Sequence, residues 1–181
     1  MLIILSILAV LYPILAYFGL KYSNPSVVSG LLIVLLILRF ILDKSKLSQQ
    51  KHAKLLFVTV FLLLLISLLT NSEYGILFYP VAVSLVFFSL FVYSLLFPPT
   101  VIARIALMQK ESLSAYGIKY TNLVTLAWCI FFAINAGIAF YTAMYSDIET
   151  WTLYNGMISY ILMGVLGSTE WLVRQKVKHK H

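Results

Sequence analysis

The sequence predicts an all-α fold, namely a polytopic transmembrane helical bundle with six spans and both termini in the cytoplasm. The 181 residues are 62% apolar and 10% charged, with a mean hydropathy of +0.98. Soluble domains average roughly 45–50% apolar and about 25% charged. Apolar runs of near-spanning length recur six times, and basic residues concentrate in alternate connectors. This composition excludes a soluble enzyme, a disordered tail and a secreted disulfide scaffold.

Each predicted span is an apolar run that approaches the ~20 residues needed to cross a bilayer. We expect helices, because an open sheet would leave backbone groups unpaired in lipid. The third run is short, so a tilted or half-inserted helix is the alternative there. The spans form one integral membrane domain over residues 1–181, at residues 2–20, 27–42, 55–70, 76–97, 123–145 and 152–173.

The connectors determine the predicted orientation. Every Lys and Arg except Lys21 lies in or beside the connectors at residues 43–54 and 98–122, or in the C-terminal tail. The opposite connectors carry Lys21 and three acids. Because positive connectors stay in the cytoplasm, both termini are predicted to be cytoplasmic.

The Pro98-Pro99 pair predicts the end of the fourth span. Residues 100–112 then fit a short amphipathic helix on the membrane surface. An ordinary connector of partly helical character is the alternative. The predicted apolar side holds Val101, Ile102, Ile105 and Met108, and the other side holds Arg104 and Glu111.

Polar and aromatic side chains on the last two spans are the candidate binding residues. On the fifth span, Thr121, Trp128, Asn135 and Thr142 recur every seven residues and form one face. An amide at the depth of Asn135 needs a partner on another helix. Two small-residue pairs, Ala133 with Gly137 and Gly164 with Ser168, favour close helix packing. The candidate lipid- or partner-binding residues are Trp128, Asn135, Asn155, Ser159, Glu170 and Arg174.

Glu170 is the acid set most deeply in an apolar context, and Arg174 follows one turn later. This spacing favours a structural ion pair at the cytoplasmic interface. A carboxylate that contacts a lipid head group or a partner is the second interpretation, and a proton relay is the third. Arg39 and Glu73 lie near span ends, where interfacial anchoring is the simplest interpretation.

Motifs for catalysis and metal binding are not found in the sequence. The three histidines lie outside the spans, and no cluster of metal ligands is present. We therefore expect no catalytic residue, no metal and no cofactor.

Residues 126–135 (LAWCIFFAIN), 151–156 (WTLYNG) and 170–174 (EWLVR) resemble a family of small uncharacterised bacterial inner-membrane proteins. That family is encoded beside enzymes for aryl-polyene or xanthomonadin-type pigments. The chain is also remotely similar to the intracellular septation protein A family. The resemblance implies a bacterial inner membrane and an association with envelope lipid or envelope assembly, but no reaction.

We expect a non-enzymatic inner-membrane protein that binds lipid or partner proteins in cell-envelope or pigment-lipid biogenesis. A small lipid transporter or flippase is one alternative, and a membrane enzyme acting on an acyl or isoprenoid lipid is another. The expected partners are membrane lipids, other envelope proteins of the inner membrane or an acyl carrier protein. No nucleic acid is expected, and a homo-oligomer is left open.

Overall fold

The computed structural model describes residues 11–42, 51–108 and 112–178, in which all regular secondary structure is helical. The predicted all-α class is therefore confirmed for these residues. In chain order the helices are α1 (Tyr12–Tyr22), α2 (Pro25–Leu42), α3 (Lys51–Thr70), α4 (Tyr74–Leu77), α5 (Tyr79–Leu96), α6 (Val101–Leu107), α7 (Ala115–Tyr145), α8 (Ile148–Leu153) and α9 (Ser159–Lys178). A π-helical turn, Tyr154–Ile158, joins α8 to α9.

Four helical segments are long and apolar enough to cross a membrane. They are Pro25–Leu42, Tyr74–Leu96, Ala115–Tyr145 and Ile148–Gln175, and the apolar part of α3, Lys54–Thr70, is shorter. The prediction of a helical membrane protein agrees with these lengths. Residues 2–10 of the predicted first span lie outside the described residues, so α1 corresponds only to the second half of that span.

The helices form a ring in which neighbours in sequence are neighbours in space. Going round the ring, α1 packs on α2, α2 on α3, α3 on α5 and α5 on α7. The π-helical turn packs on α7. Both this turn and α8 also contact α1. The last hairpin therefore closes on the first helix.

Hydrogen bonds hold the turns together at one end of the ring. Ser26 donates its backbone N–H to Asn71 Oδ1 at 3.2 Å, and Tyr17 donates its hydroxyl to Glu149 at 3.4 Å. Asp147 caps α8 by accepting from the Thr150 N–H at 2.6 Å, and this hydrogen bond lowers the pKa of the Asp147 carboxyl. We call this the Asn71 end. The opposite end, where α5 meets α6, is the Pro99 end.

The short helix α6 lies inside the predicted interfacial segment 100–112. Thr100 caps it by accepting from the Ala103 N–H at 3.3 Å. The predicted apolar side is divided. Val101 and Ile102 pack on a buried cluster of Phe91, Cys129 and Phe132, which we call the Phe91 cluster, whereas Ile105 and Met108 are exposed. Residues 109–111, including Glu111, lie outside the described residues.

The break between α4 and α5 has a simple chemical cause. In a continuous helix the Ile76 carbonyl would accept from residue 80, but Pro80 has no N–H. The Tyr12 hydroxyl donates to the Ile76 carbonyl at 2.9 Å, and Trp151 Nε1 donates to the Leu77 carbonyl at 3.1 Å. Side chains from α1 and α8 thus satisfy the backbone of α4.

We expect Trp151→Phe to lower the free energy of unfolding by about 1–3 kcal/mol, because it leaves the Leu77 carbonyl without its indole donor in a dry site. Trp151 is 0% exposed, whereas Trp171 is 57% exposed and provides the matched control, Trp171→Phe. Equilibrium unfolding in detergent micelles measures both variants. Equal stability of the two variants would contradict the prediction.

Candidate functional site

Asn135 connects three helical segments in the interior of the ring. Its Nδ2 donates to Ser84 Oγ on α5 at 2.9 Å, and its Oδ1 accepts from the Tyr154 hydroxyl at 3.0 Å. The Ser84 hydroxyl in turn donates a hydrogen bond to the Pro80 carbonyl at 2.8 Å. Asn135 is 7% exposed, so both ends of its amide are satisfied away from water.

Asn155 makes the second buried amide contact. Its Nδ2 donates to Thr142 Oγ1 at 3.1 Å and to the Trp151 carbonyl at 2.9 Å. Ser159 donates to the Asn155 carbonyl at 3.2 Å. In the described part of the chain, Asn155 Oδ1 and Thr152 Oγ1 are buried without a hydrogen-bond partner. Asn155 therefore joins the π-helical turn to α7, whereas the hydrogen bond of the buried Ser159 stays within its own helix.

Trp128 belongs to an aromatic cluster between α5 and α7. Its ring centroid lies 6.3 Å from Phe91, 5.7 Å from Phe132 and 5.8 Å from Phe131. The indole is half-buried, and its Cζ2 lies 3.9 Å from the position that a Cβ would take at Gly167 on α9. Here α9 approaches α7 closely.

A further point of approach lies at the Pro99 end. Tyr120 on α7 donates its hydroxyl to the backbone carbonyl of Glu170 at 3.1 Å. Glu170 and Arg174 both act electrostatically on Tyr120 and are both half-buried. The two charged side chains predicted from sequence thus gather around a tyrosine that the sequence analysis did not single out.

The two predicted small-residue pairs do not bring helices of this chain together. Within the part of the chain that the structure describes, no side chain of another element lies within 4 Å of a Cβ built at Gly137 or Gly164. Ala133 and Ser168 are likewise exposed. Both pairs face outward from the ring as described.

The candidate residues therefore fall into two groups. Asn135, Asn155 and Ser159 are in the dry network near the middle and the Asn71 end. Trp128 lies along the α7–α9 contact, with Glu170 and Arg174 near the Pro99 end. Ser84, Tyr154 and Tyr120 were missed. An isolated serine or tyrosine in an apolar run signals a need for a partner without identifying that partner.

Among the described residues, no three His, Cys, Asp or Glu side chains converge in a way that could hold a metal ion. The chain matches no known family model, no curated protein and no solved structure. Conclusions about function therefore depend on the contacts within this chain.

A double-mutant cycle tests the Asn135–Tyr154 hydrogen bond. We expect Asn135→Ala and Tyr154→Phe to be non-additive, with a coupling free energy of about 0.6 kcal/mol and at most ~1.7 kcal/mol. Pairing Asn135→Ala with Tyr141→Phe, an exposed tyrosine on the same helix, is the control and should be additive. Unfolding free energies in micelles give both cycles. Additivity in the Tyr154 cycle would show that this bond contributes nothing to stability.

Proposed function

We propose that the protein is a non-enzymatic, six-span protein of the bacterial inner membrane that binds a lipid or a partner protein in cell-envelope or pigment-lipid biogenesis. Both termini would lie in the cytoplasm, which places the Pro99 end at the cytoplasmic surface. Its resemblance to the inner-membrane family encoded beside pigment enzymes supports this setting. The observation that carries the proposal is the loose attachment of α9 to α7.

The last helix is largely exposed after the π-helical turn. Ile161, Val165 and Leu172 on α9 are exposed, as expected for side chains that face lipid. Between α9 and α7, the described contacts are those of Trp128 with Gly167 and of Tyr120 with Glu170, together with the packing of Met163 on the Phe91 cluster. A half-buried indole beside a glycine offers an aromatic surface to an acyl or polyene chain.

The polar groups near this surface fit a head group or a protein surface. Glu170 and Arg174 are one helical turn apart on α9 at its Pro99 end, where the Tyr120 hydroxyl donates to the Glu170 carbonyl. Basic residues at a cytoplasmic surface attract anionic lipid by ~1 kcal/mol each. The same charges would attract an acidic acyl carrier protein that delivers a chain. One arrangement thus serves either a lipid or a partner.

The buried amides favour binding over transport. A flippase path along the polar stripe of α7 would pass Asn135, whose amide is enclosed by Ser84 and Tyr154. Opening such a path would break both hydrogen bonds. An enzyme acting on an acyl or isoprenoid lipid would depend on Glu170 as its acid, and Glu170→Gln in a complementation assay tests that role.

Cysteine labelling tests the proposed orientation. In a Cys129→Ala background, we expect a membrane-impermeant maleimide to label Glu149→Cys in intact spheroplasts and Ser112→Cys only after lysis. Both positions are exposed, so reagent access depends on the side of the membrane. The reverse pattern, or labelling of both positions in intact cells, would contradict the orientation.

Native mass spectrometry of protein extracted from its host membrane tests lipid binding at the α7–α9 surface. We expect one stoichiometric lipid or acyl-pigment species on the wild type. Trp128→Leu should reduce its occupancy roughly two- to tenfold, because an aromatic contact contributes about 0.5–1.5 kcal/mol. The matched control is Trp171→Leu, an exposed tryptophan on α9, which should retain the species. Bulk phospholipid alone, or equal losses in both variants, would rule out this lipid site.

A further inference from the structure

A groove of about 300 Å³ runs between α3 and α5. Leu55, Thr59 and Leu63 line it from α3. Val60 and Leu64, each one position further along the helix, are buried in the core of the ring. Because one residue turns a helix by about 100°, the groove face of α3 points away from that core. The groove therefore lies on the outer side of the ring.

The α5 wall shows that the groove is open to its surroundings. Val81, Leu85 and Ser89 line it from this side. Val81 is buried, whereas Leu85 and Leu55 are 49% and 52% exposed, so the groove has a buried base and an open rim. At roughly 1.5 Å per residue, the stretch from Leu55 to Leu63 is about 12 Å long. This length is close to one leaflet of a hydrocarbon core that is ~30 Å thick.

A close contact at Gly75 determines where the groove ends. A Cβ at this position would overlap the Leu63 carbonyl oxygen and lie 2.7 Å from the Ser67 Cβ. Glycine thus lets α4, which leads into α5, lie directly against the backbone of α3. Leu63 is also the last residue of α3 that lines the groove. The groove therefore extends from this contact toward the Pro99 end.

The walls of the groove present hydrocarbon, and their two hydroxyl groups are engaged within their own helices. Thr59 donates to the Leu55 carbonyl at 2.9 Å, and Ser89 donates to the Leu85 carbonyl at 2.8 Å. The other lining residues are apolar. A polar ligand would lose its hydrogen bonds in such a groove. A hydrocarbon chain loses none and gains packing contacts.

The start of α3 adds positive charge at the Pro99 end of the groove. α3 ends beside Asn71, so its first turn lies at the opposite end. Lys54 is exposed, directly precedes Leu55 and begins the apolar part of the helix. Lys51 belongs to the same first turn. The N-terminus of a helix carries further partial positive charge. These charges complement the phosphate of an anionic head group.

We propose that the groove between α3 and α5 binds one acyl chain of an anionic phospholipid, with the head-group phosphate at Lys54. The apolar walls select a chain, and the basic end selects the charge. In the orientation proposed above, this lipid belongs to the cytoplasmic leaflet. The groove shares no residue with the α7–α9 contact. It goes beyond the proposed function and can stand if the lipid surface at Trp128 fails.

Photolabelling of the full chain in nanodiscs tests the site. The nanodiscs consist of phosphatidylcholine with a small fraction of phosphatidylglycerol that carries a diazirine in one acyl chain. We expect labelling of residues 55–63 and 81–89 to exceed severalfold the labelling at Leu31 and Val34, two exposed residues of α2 that report bulk lipid. The same diazirine on phosphatidylcholine should give a smaller excess, because its head group has no net charge.

Four variants and one reserve separate the groove and its charge from general effects. Ala82 lines the groove, and Ala82→Phe should remove most of the excess. Ala133→Phe makes the same change at an exposed alanine of α7 and should preserve it. Lys54→Gln should lower the phosphatidylglycerol excess about fivefold, the effect of one lysine at an anionic surface. Lys119→Gln, at an exposed lysine near the start of α7, is its control. If melting temperatures show that Ala82→Phe does not fold, Ser89→Phe fills the groove from an exposed position.

Two kinds of result would overturn the proposal. The first is equal labelling of the groove and of α2, equal labelling by the two phospholipids, or an equal loss in both lysine variants. Each of these would indicate ordinary contact with bulk lipid. The second is occupation by another copy of the chain. In a Cys129→Ala background, Leu85→Cys would then form a disulfide-linked dimer, and the groove would stay unlabelled. A loss of the lipid at Trp128 with intact groove labelling would instead count against the proposed function alone.

Discussion

The backbone break at Pro80 is the constraint on which the ring depends. A proline inside an apolar helix leaves the carbonyl four residues earlier without its donor, and no water in a bilayer can replace that donor. Each unsatisfied group would cost several kcal/mol there. The Tyr12 hydroxyl and the Trp151 indole supply donors to the Ile76 and Leu77 carbonyls. Satisfying one break therefore brings the first and last hairpins to the same point.

Ring closure in turn sets the position of the buried amides. Trp151 lies near the end of α8, and the π-helical turn follows at once, which directs Tyr154 and Asn155 toward α7. π-helical turns add a residue to the helical register and often occur at functional sites. The helix continues through this turn into α9, where Met163 packs on the Phe91 cluster.

Much of the fold could be predicted from the sequence, because membrane helices are specified by local composition. Four of the six predicted spans coincide with helices of spanning length, and the short third run is a helix as well. The need of Asn135 for a partner on another helix was also predictable from its depth, and Ser84 and Tyr154 meet that need. The identity of those partners was not predictable, because helical spacing defines a face and not the neighbour that covers it.

Helical spacing also fails to show whether a face is covered at all, as two glycines illustrate. Gly137 and Gly164 have the spacing of close-packed helices, but among the described residues nothing from another element lies within 4 Å of a Cβ built at either position. Arg39 has the place of an interfacial anchor near a span end, and it is half-buried. The side of α2 that is buried depends on its packing against α1 and α3, which the sequence pattern does not specify.

The two ends of the ring differ in the kind of contact that holds them. At the Asn71 end, Ser26 donates to Asn71 and Tyr17 donates to Glu149, which joins the turns, and Asp147 caps α8 by accepting from Thr150. Toward the Pro99 end, α9 contacts α7 through the indole of Trp128 beside Gly167 and through the hydrogen bond from Tyr120 to the Glu170 carbonyl. Segments that open to bind a ligand come from the less stable part of a protein, because opening must cost little free energy. The proposed lipid surface lies where α9 meets α7, so movement of this one helix would expose the indole of Trp128.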